Sequence, residues 1–221
     1  NELEREFLYP CVVVADDDDH FRILRTDTAG VFRALYSYQG DFLASDVSSA
    51  FKLLFYSGRI VSDVEAFSLA ENKWLWSVPC QQSPSGHWFE MLKFAHPWLF
   101  VAQYDGYIRA YDRNGVQQFK SQMVANNYAE QLNLFGDYVI ASMKEYSTLN
   151  RQLAVFHVSG GKLLDLQPAG FIPAGFEQLS TNQVLVFGSQ GNDGIIAIYD
   201  IALGTLSIIN RIRNHTIHDF D

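Results

Sequence analysis

Short, largely apolar runs recur along the chain at nearly even distances, and each is followed by a turn and another strand-like run. They are CVVVA at 11–15, FKLLFY at 51–56, WLFVAQY at 98–104, DYVIAS at 137–142 and QVLVFGS at 183–189. Both alternating sets of positions in each run are apolar, which predicts a β-strand buried on both faces.

A residue pair near the end of the following strand gives the period of this pattern. In chain order the pairs are Thr26-Asp27, Phe67-Ser68, Tyr111-Asp112, Phe156-His157 and Tyr199-Asp200. Successive pairs are 41, 44, 45 and 43 residues apart. A period of this length, built from strands instead of helices, is typical of the blades of a β-propeller.

A further strand-like segment precedes most of the apolar runs, so each repeat contains four strands, named a, b, c and d in chain order. The sequence therefore predicts an all-β fold, a β-propeller of about five four-stranded blades in a single domain over residues 1–221. A β-sandwich or smaller barrel also contains many strands, but neither requires a constant period. Only two short segments have helix-compatible spacing, NELEREFL at 1–8 and NNYAEQLNLF at 126–135. The repeats are expected at approximately 9–40, 41–80, 87–122, 128–168 and 175–214.

The two ends of the chain are each an incomplete repeat. The first repeat begins with strand b, and residues 216–221, TIHDFD, resemble a strand a without its own strand b. Because a closed ring hides the edges of its first and last sheets, we expect residues 216–221 to complete the first blade. Two alternatives stay open: the chain is a fragment of a longer protein, or LEREFLYP at 3–10 is the first strand a and TIHDFD pairs with a partner chain.

Two repeats share a more specific motif, in which Asp-Gly precedes four strand residues and a Tyr-Asp pair. This motif resembles the WD40 repeat family, in which an Asp-Gly turn joins strands b and c and an aromatic-Asp pair ends strand c. His87 and His215 stand where that family places a Gly-His pair, between strands d and a. The segment VEAFSLAENKWLWSVP at 64–79 is equally similar to the quinoprotein-type propeller repeat, so both subfamilies are considered. The motif copies are Asp105-Gly106 with Tyr111-Asp112, and Asp193-Gly194 with Tyr199-Asp200.

The motif residues have a structural explanation. An Asp at the b–c turn can accept hydrogen bonds from a His in the d–a loop and from backbone groups, and Gly can adopt the positive φ of a tight turn. Satisfied polar networks of this kind help to specify a fold. We therefore expect the following residues to belong to the scaffold: His87, Asp105, Gly106, Tyr111, Asp112, Asp193, Gly194, Tyr199, Asp200 and His215.

Composition and charge narrow the classes of partner. The 221 residues are 48% hydrophobic and 14% aromatic, which suits a globular core built from sheets. The net charge of -9 opposes binding to nucleic acid or to anionic membranes, and no run approaches the roughly 18 apolar residues of a membrane span. Cys11 and Cys80 are expected to be free thiols. An intracellular location, cytoplasmic or nuclear, is the expectation.

Residues that are not repeated are the candidates for partner binding. Equivalent turns of a propeller share one end, so residues in b–c turns and d–a loops are expected on one face. Four adjacent carboxylates there favour a protein or peptide partner with basic residues, although a solvated acidic loop is the simpler interpretation. Their spacing lacks the pattern of a calcium loop, so no metal is expected. The candidates are Asp16, Asp17, Asp18, Asp19 and His20 in the first b–c turn, Lys144, Glu145 and Tyr146 in the 142–152 insertion, and Trp88 in a d–a loop.

No catalytic motif stands out in the sequence. G-x-S-x-G, a phosphate-binding loop and H-E-x-x-H are all absent. We therefore expect no catalytic residues and no cofactor, and a non-enzymatic scaffold or adaptor that works by protein–protein interaction, as the WD40 resemblance implies. The alternatives are a sugar-binding propeller and a glycoside hydrolase-like five-bladed propeller, which would use carboxylates on the innermost strands. The carboxylates on predicted a strands are Asp46, Glu90, Glu130 and Glu177.

Overall fold

The computed structural model describes part of the chain, in two compact units that comprise Asn1–Cys80 and Gln81–Asp221. Within the described ranges the regular elements are β-strands, arranged in five antiparallel sheets. The described ranges are 11–15, 20–26, 31–39, 42–48, 53–58, 63–68, 71, 73–79, 90–103, 105–148 and 150–217.

The first unit contains two of the sheets, whose strands are antiparallel and follow chain order because their connections are short. The first sheet has three strands: β1 (Cys11–Ala15), β2 (His20–Thr26) and β3 (Phe32–Gln39). The second has four: β4 (Phe42–Ser48), β5 (Leu53–Gly58), β6 (Asp63–Ser68) and β7 (Lys73–Pro79).

The second unit contains three four-stranded antiparallel sheets, again with the strands in chain order from a to d. The third sheet has β8 (Glu90–Ala95), β9 (Trp98–Gln103), β10 (Ile108–Tyr111) and β11 (Gln117–Lys120). The fourth has β12 (Asn127–Phe135), β13 (Tyr138–Glu145), β14 (Arg151–His157) and β15 (Leu163–Pro168). The fifth has β16 (Ile172–Gln178), β17 (Gln183–Gln190), β18 (Asp193–Asp200) and β19 (Thr205–Ile212).

The fourth sheet is covered on both faces by its neighbours. Phe156 packs in one apolar cluster with Phe100 and Ile108 of the third sheet. Ile140 packs in a second cluster with Val184 of the fifth sheet. The a strands β8 and β12 contact each other, as do β12 and β16. Burial on both faces explains why the b and c strands are apolar at successive positions.

The predicted b strands agree with the structure to within a few residues: β1 covers CVVVA, and β9, β13 and β17 begin within one residue of their runs. The prediction of an all-β fold built from four-stranded sheets is confirmed. Residues 216 and 217 are not in a strand, and 218–221 lie outside the described ranges. The closing strand and the single domain therefore stay predictions.

The helix-compatible spacing at 126–135 was misleading, since residues 127–135 form strand β12. A β-bulge between Ala129 and Gln131 shifts the side-chain alternation by one residue. Leu132 then faces the third sheet and Phe135 the fifth. The buried positions Ala129, Leu132 and Phe135 are thus three residues apart, which imitates one face of a helix.

A hydrogen-bonded contact joins the fourth and fifth sheets. Tyr199 on β18 is fully buried, and its hydroxyl donates to Oδ2 of Asp165 on β15 at 2.7 Å. Gln167 Nε2 donates to Asp165 Oδ1 and to the carbonyl oxygen of Gly204, each at 3.0 Å. Burial and the Asp165 carboxylate raise the pKa of Tyr199 well above its usual value, so the phenol stays protonated.

We expect Tyr199→Phe to lower the free energy of unfolding by about 2 kcal/mol, the usual contribution of a hydrogen bond to a charged acceptor. Urea denaturation monitored by tryptophan fluorescence measures this loss. Tyr138→Phe is the matched control, because the Tyr138 ring is only half-buried and packs against His157. Equal stability of the Tyr199 variant and the wild type would show that this contact contributes nothing.

Candidate functional site

The second Asp of each complete motif closes a turn between strands c and d. Oδ1 of Asp112 accepts hydrogen bonds from the backbone N–H of Asn114 at 2.8 Å and of Val116 at 3.0 Å. Oδ1 of Asp200 accepts from the backbone N–H of Ala202 and Leu203, both at 3.0 Å. Because these carboxylates satisfy turn amides, their geometry is that of scaffold residues.

The first Asp of the third repeat lies in a b–c turn. Oδ1 of Asp105 accepts from the backbone N–H of Tyr107 at 3.1 Å and from Arg109 Nη1 at 3.0 Å, and Oδ2 contacts Arg109 Nη2. The Arg109 side chain is only 6% exposed. Gly106 has a φ of 79°, as the turn requires. The expected partner His87 lies outside the described residues.

The hydrogen bonds of Asp193 differ from the expectation. Its Oδ1 accepts from the backbone N–H of Asn214 at 3.1 Å, and its Oδ2 accepts from Arg211 Nη1 at 3.3 Å. The ring of His215 instead bonds to the carbonyl oxygen of Arg213, with Nδ1 at 2.9 Å. An arginine on strand d therefore occupies the role that the WD40 resemblance gave to His215.

Gly194 is required for a different reason from the one predicted. The positive φ of this turn belongs to Gly191, at 61°, in a two-residue hairpin between the paired residues Gln190 and Asp193. A Cβ on Gly194 would instead lie 2.7 Å from the carbonyl oxygen of His215. The glycine therefore permits a close approach of the chain beyond β19.

We expect Gly194→Ala to destabilise the protein by about 1–3 kcal/mol, because relieving the contact requires a backbone shift. Gly160→Ala is the control, since a Cβ at that position meets no atom within 4 Å; it should be neutral or slightly stabilising. Melting temperatures of the two variants measured by calorimetry provide the comparison. A Gly194 variant as stable as the control would refute the close-approach explanation.

The described residues that follow strand β13, 146–148 and 150, are held by hydrogen bonds, several of them with Glu145 at the end of that strand. Thr148 Oγ1 donates to Glu145 Oε2 at 2.6 Å and accepts from the backbone N–H of Asn150 at 3.1 Å. The backbone N–H of Glu145 donates to the carbonyl oxygen of Asn150 at 3.2 Å, and that of Tyr146 donates to the carbonyl oxygen of Asn126 at 2.9 Å. Since Asn126 belongs to the preceding d–a loop, the two loops are held together.

Tyr146 presents an aromatic ring at this position. Its side chain is exposed, and its ring centroid lies 5.2 Å from that of Tyr128 on strand a. Lys144 Nζ lies 5.8 Å from the Tyr128 centroid and 3.7 Å from Oε1 of Glu130. Three of the residues singled out in the sequence, Lys144, Glu145 and Tyr146, are thus brought together with Tyr128, which sequence reasoning missed.

Glu130 is held by a buried arginine. Arg151 Nε donates to Oε2 at 2.7 Å and Nη2 donates to Oε1 at 2.9 Å, and the Arg151 side chain is 9% exposed. This bidentate geometry is typical of a structural ion pair. Of the other carboxylates on predicted a strands, Glu177 is exposed, and the side chains of Asp46 and Glu90 lie outside the described set.

A cleft of about 460 Å³ lies beside this pair, between the fourth and fifth sheets. Arg151, Phe171 and Ile172 line it, together with Gly170 and Gly191, at which a Cβ would meet open space. The cleft opens at the same end as the 145–150 loop, because both lie where β13 ends and β14 and β16 begin. We call this region of the second unit, with its b–c turns and d–a loops, the b–c end.

The structure was compared with known proteins. No protein-family model matches the chain, and no curated protein matches it. Among solved structures, the WD40 β-propeller domain of Doa1 matches with a TM-score of 0.65 at 12% identity, over 93% of this chain and 65% of that one. BamB from Moraxella catarrhalis matches with a TM-score of 0.66 at 15% identity, over 93% and 61%.

An enzyme is also among the matches. The dihydro-heme d1 dehydrogenase NirN, in complex with DHE, matches with a TM-score of 0.68 at 14% identity, over 94% of this chain and 46% of that one. The chain has the β-propeller fold. It spans about two thirds or less of the length of these three proteins. At such low identity the likeness concerns the fold and is shared by a WD40 domain and an enzyme.

The acidic face expected of the propeller depends on residues beyond the described ones. Asp16 to Asp19 and Trp88 lie outside the described ranges, and His20 begins strand β2. In the described part of the b–c end, the carboxylates of Asp105, Glu130 and Asp193 each pair with an arginine. The acidic face itself stays a prediction.

The described part of the chain contains neither a metal-binding cluster nor a membrane-spanning helix. No group of three or more His, Cys, Asp or Glu side chains there is arranged to hold a metal ion. The same residues contain no helix long and apolar enough to cross a membrane.

The pH dependence of stability should report on Asp193. The Asn214 N–H and Arg211 hold the pKa of the Asp193 carboxyl below its usual value. The folded state therefore binds fewer protons than the unfolded state, and the stability that Asp193 contributes is present above about pH 4 and lost as the pH falls further. In urea denaturation from pH 7 to pH 3, Asp193→Asn should lose less stability on acidification than the wild type. Identical pH profiles would contradict this assignment.

Proposed function

We propose that this propeller is a protein–protein interaction module whose b–c end binds a protein or peptide partner. The observation that carries the proposal is the exposed Tyr146, which packs on Tyr128 in a loop that does not recur in the other repeats. Tyrosine supplies a large contact area with few rotatable bonds and is enriched at the centres of protein interfaces.

The hydrogen bonds of residues 145, 146, 148 and 150 support a binding role. A loop that is fixed before the partner arrives loses less conformational entropy on binding, so more of the contact energy appears as affinity. The bond between the Tyr146 N–H and the Asn126 carbonyl oxygen and the bonds between Glu145, Thr148 and Asn150 supply this fixation. The loop is also anchored on the rigid sheet formed by β12 to β15.

Exposed apolar side chains at the b–c end have the composition of an interface. Met123 in the d–a loop is 46% exposed, Tyr146 is 38% exposed and Ile172 at the edge of the cleft is 50% exposed. The ion pair of Lys144 with Glu130 lies at the same end. An apolar centre with a polar rim is the usual anatomy of a protein-binding surface.

A non-enzymatic role fits the carboxylate geometry better than glycoside hydrolysis does. A hydrolase needs an acid and a base that exchange protons with the substrate, at a defined separation. Glu130 instead accepts two hydrogen bonds from Arg151. The WD40 domain of Doa1 shares the fold, and the WD40 resemblance of the sequence motif implies an interaction role. We propose a scaffold or adaptor within a larger assembly, with Asp16 to Asp19 attracting basic residues of the partner.

The test compares proteins captured from cell extract by the wild type, Tyr146→Ala and Leu179→Ala, quantified by mass spectrometry. Leu179 is the control, because it is 49% exposed in the a–b turn of the fifth sheet, at the opposite end. Truncating a central tyrosine costs about 1.4 kcal/mol or more, so a specific partner should fall at least tenfold with Tyr146→Ala and stay unchanged with Leu179→Ala. The proposal fails if the three baits capture the same proteins equally, or if Leu179→Ala causes the loss instead.

A further inference from the structure

A second pocket, of about 320 Å³, lies between the fourth and fifth sheets at the end that holds the a–b and c–d turns. This end is opposite the b–c end, since it lies where β14 and β18 end and β15 and β19 begin. Its size is at the lower limit of pockets that enclose a small ligand, about 300 Å³. The residues that matter for its chemistry are Leu164, Asp165, Tyr199, Ile201, Leu203 and Gly204.

The pocket contains a carboxylate whose hydrogen-bond donors are neutral. Asp165 accepts from the Tyr199 hydroxyl on Oδ2 and from the Gln167 amide on Oδ1. A carboxylate offers about four acceptor positions, so two are still available. Among the described residues, no lysine, arginine or histidine nitrogen lies within 4.0 Å of Asp165.

Three other carboxylates of the second unit each have an arginine partner. Asp105 pairs with Arg109, Glu130 with Arg151, and Asp193 with Arg211. Asp165 is half-buried like these residues, and a half-buried charge is favourable only when something compensates it. Asp112, Glu145 and Asp200 are also half-buried and have neutral hydrogen-bond donors. Asp165 differs from these three because it lines a pocket.

The walls of the pocket are apolar and accessible. Leu164 is 48% exposed and Leu203 is 73% exposed, and the turn that carries Leu203 is fixed by its N–H bond to Asp200. Gly204 has a φ of 62°, and a Cβ there would lie 3.3 Å from Oδ2 of Asp165. Glycine thus leaves the carboxylate open to the pocket. A ligand with an aliphatic stem and a cationic head matches such a lining.

We propose that this pocket binds an arginine side chain from a protein partner, with the guanidinium on Asp165 and the methylene groups between Leu164 and Leu203. A planar guanidinium presents paired donors that match a carboxylate, which a lysine ammonium does not. The net charge of -9 also favours the approach of a basic segment. The site is separate from the b–c end and does not depend on the function proposed there.

The test is a ¹H–¹⁵N NMR titration of the whole chain with Nα-acetyl-arginine methylamide. The amide signals of Leu164, Asp165, Leu203 and Gly204 should shift and saturate at millimolar probe. Nα-acetyl-norleucine methylamide, which has the stem without the charge, should bind at least fivefold more weakly.

Two variants distinguish binding of the probe in this pocket from nonspecific attraction of a cation to an acidic protein. Asp165→Asn, which can still accept a hydrogen bond from Tyr199, should raise the Kd at least fivefold. Asp137→Asn removes an equal charge from an exposed a–b turn at the same end and should leave the Kd unchanged. Equal binding to these two variants, or signal shifts confined to other residues, would overturn the proposal.

A variant on the rim keeps the test decisive should Asp165→Asn unfold. Leu203 is largely exposed, so Leu203→Ser leaves the core intact while removing one apolar wall. It should raise the Kd about twofold to threefold. Unchanged affinity in Leu203→Ser, with a wild-type fold by NMR, would exclude the pocket as the site of arginine binding.

Discussion

The burial of both faces of the fourth sheet, between its two neighbours in the second unit, is the constraint on which the rest of the structure depends. Phe156 and Ile140 point to opposite faces of the fourth sheet, and both are fully buried. A sheet covered in this way must be apolar at successive positions, so its strands cannot alternate between core and solvent. This mutual covering also explains the regular period of the sequence, because each sheet must be the same width as the sheets that cover it.

The polar side chains of the motif lie at the strand ends. Their position there determines which groups they can bind. The aspartates that recur in the motif satisfy turn amides or pair with arginines, as Asp112 and Asp105 do. Their hydrogen-bonding capacity is used within the scaffold. Residues that do not recur, such as Tyr146 and Asp165, are placed by the same strands. The Tyr146 ring is exposed, and Asp165 lines a pocket while it also accepts a hydrogen bond from Tyr199. We therefore propose that the residues that do not recur bind partners.

Much of the fold could be predicted from the sequence because period and alternation are local properties. Strand β12 was ambiguous because a single bulge changes the alternation, and no local signal marks the bulge. The reason for Gly194 could not be found either, since its constraint comes from the carbonyl of His215, 21 residues away in sequence.

The candidate site was only partly accessible to sequence reasoning. The absence of repetition drew attention to the loop that contains Tyr146, but its support by Tyr128 and Asn126 depends on how two strands and a d–a loop meet. Asp165 gave no signal at all, because its importance comes from Tyr199, 34 residues further on. A sequence shows which residues are charged and which loops differ between repeats. Only the folded structure shows which charges pair.

The central claim is that repeated residues maintain the propeller and unrepeated residues bind. A saturation mutagenesis scan of the second unit, with folded abundance and partner binding measured in the same library, tests it most directly. The account predicts that substitutions at Asp105, Asp112 and Asp200 reduce abundance and binding together, while those at Tyr146 reduce binding alone. Substitutions at the motif aspartates that abolish binding at normal abundance would contradict it.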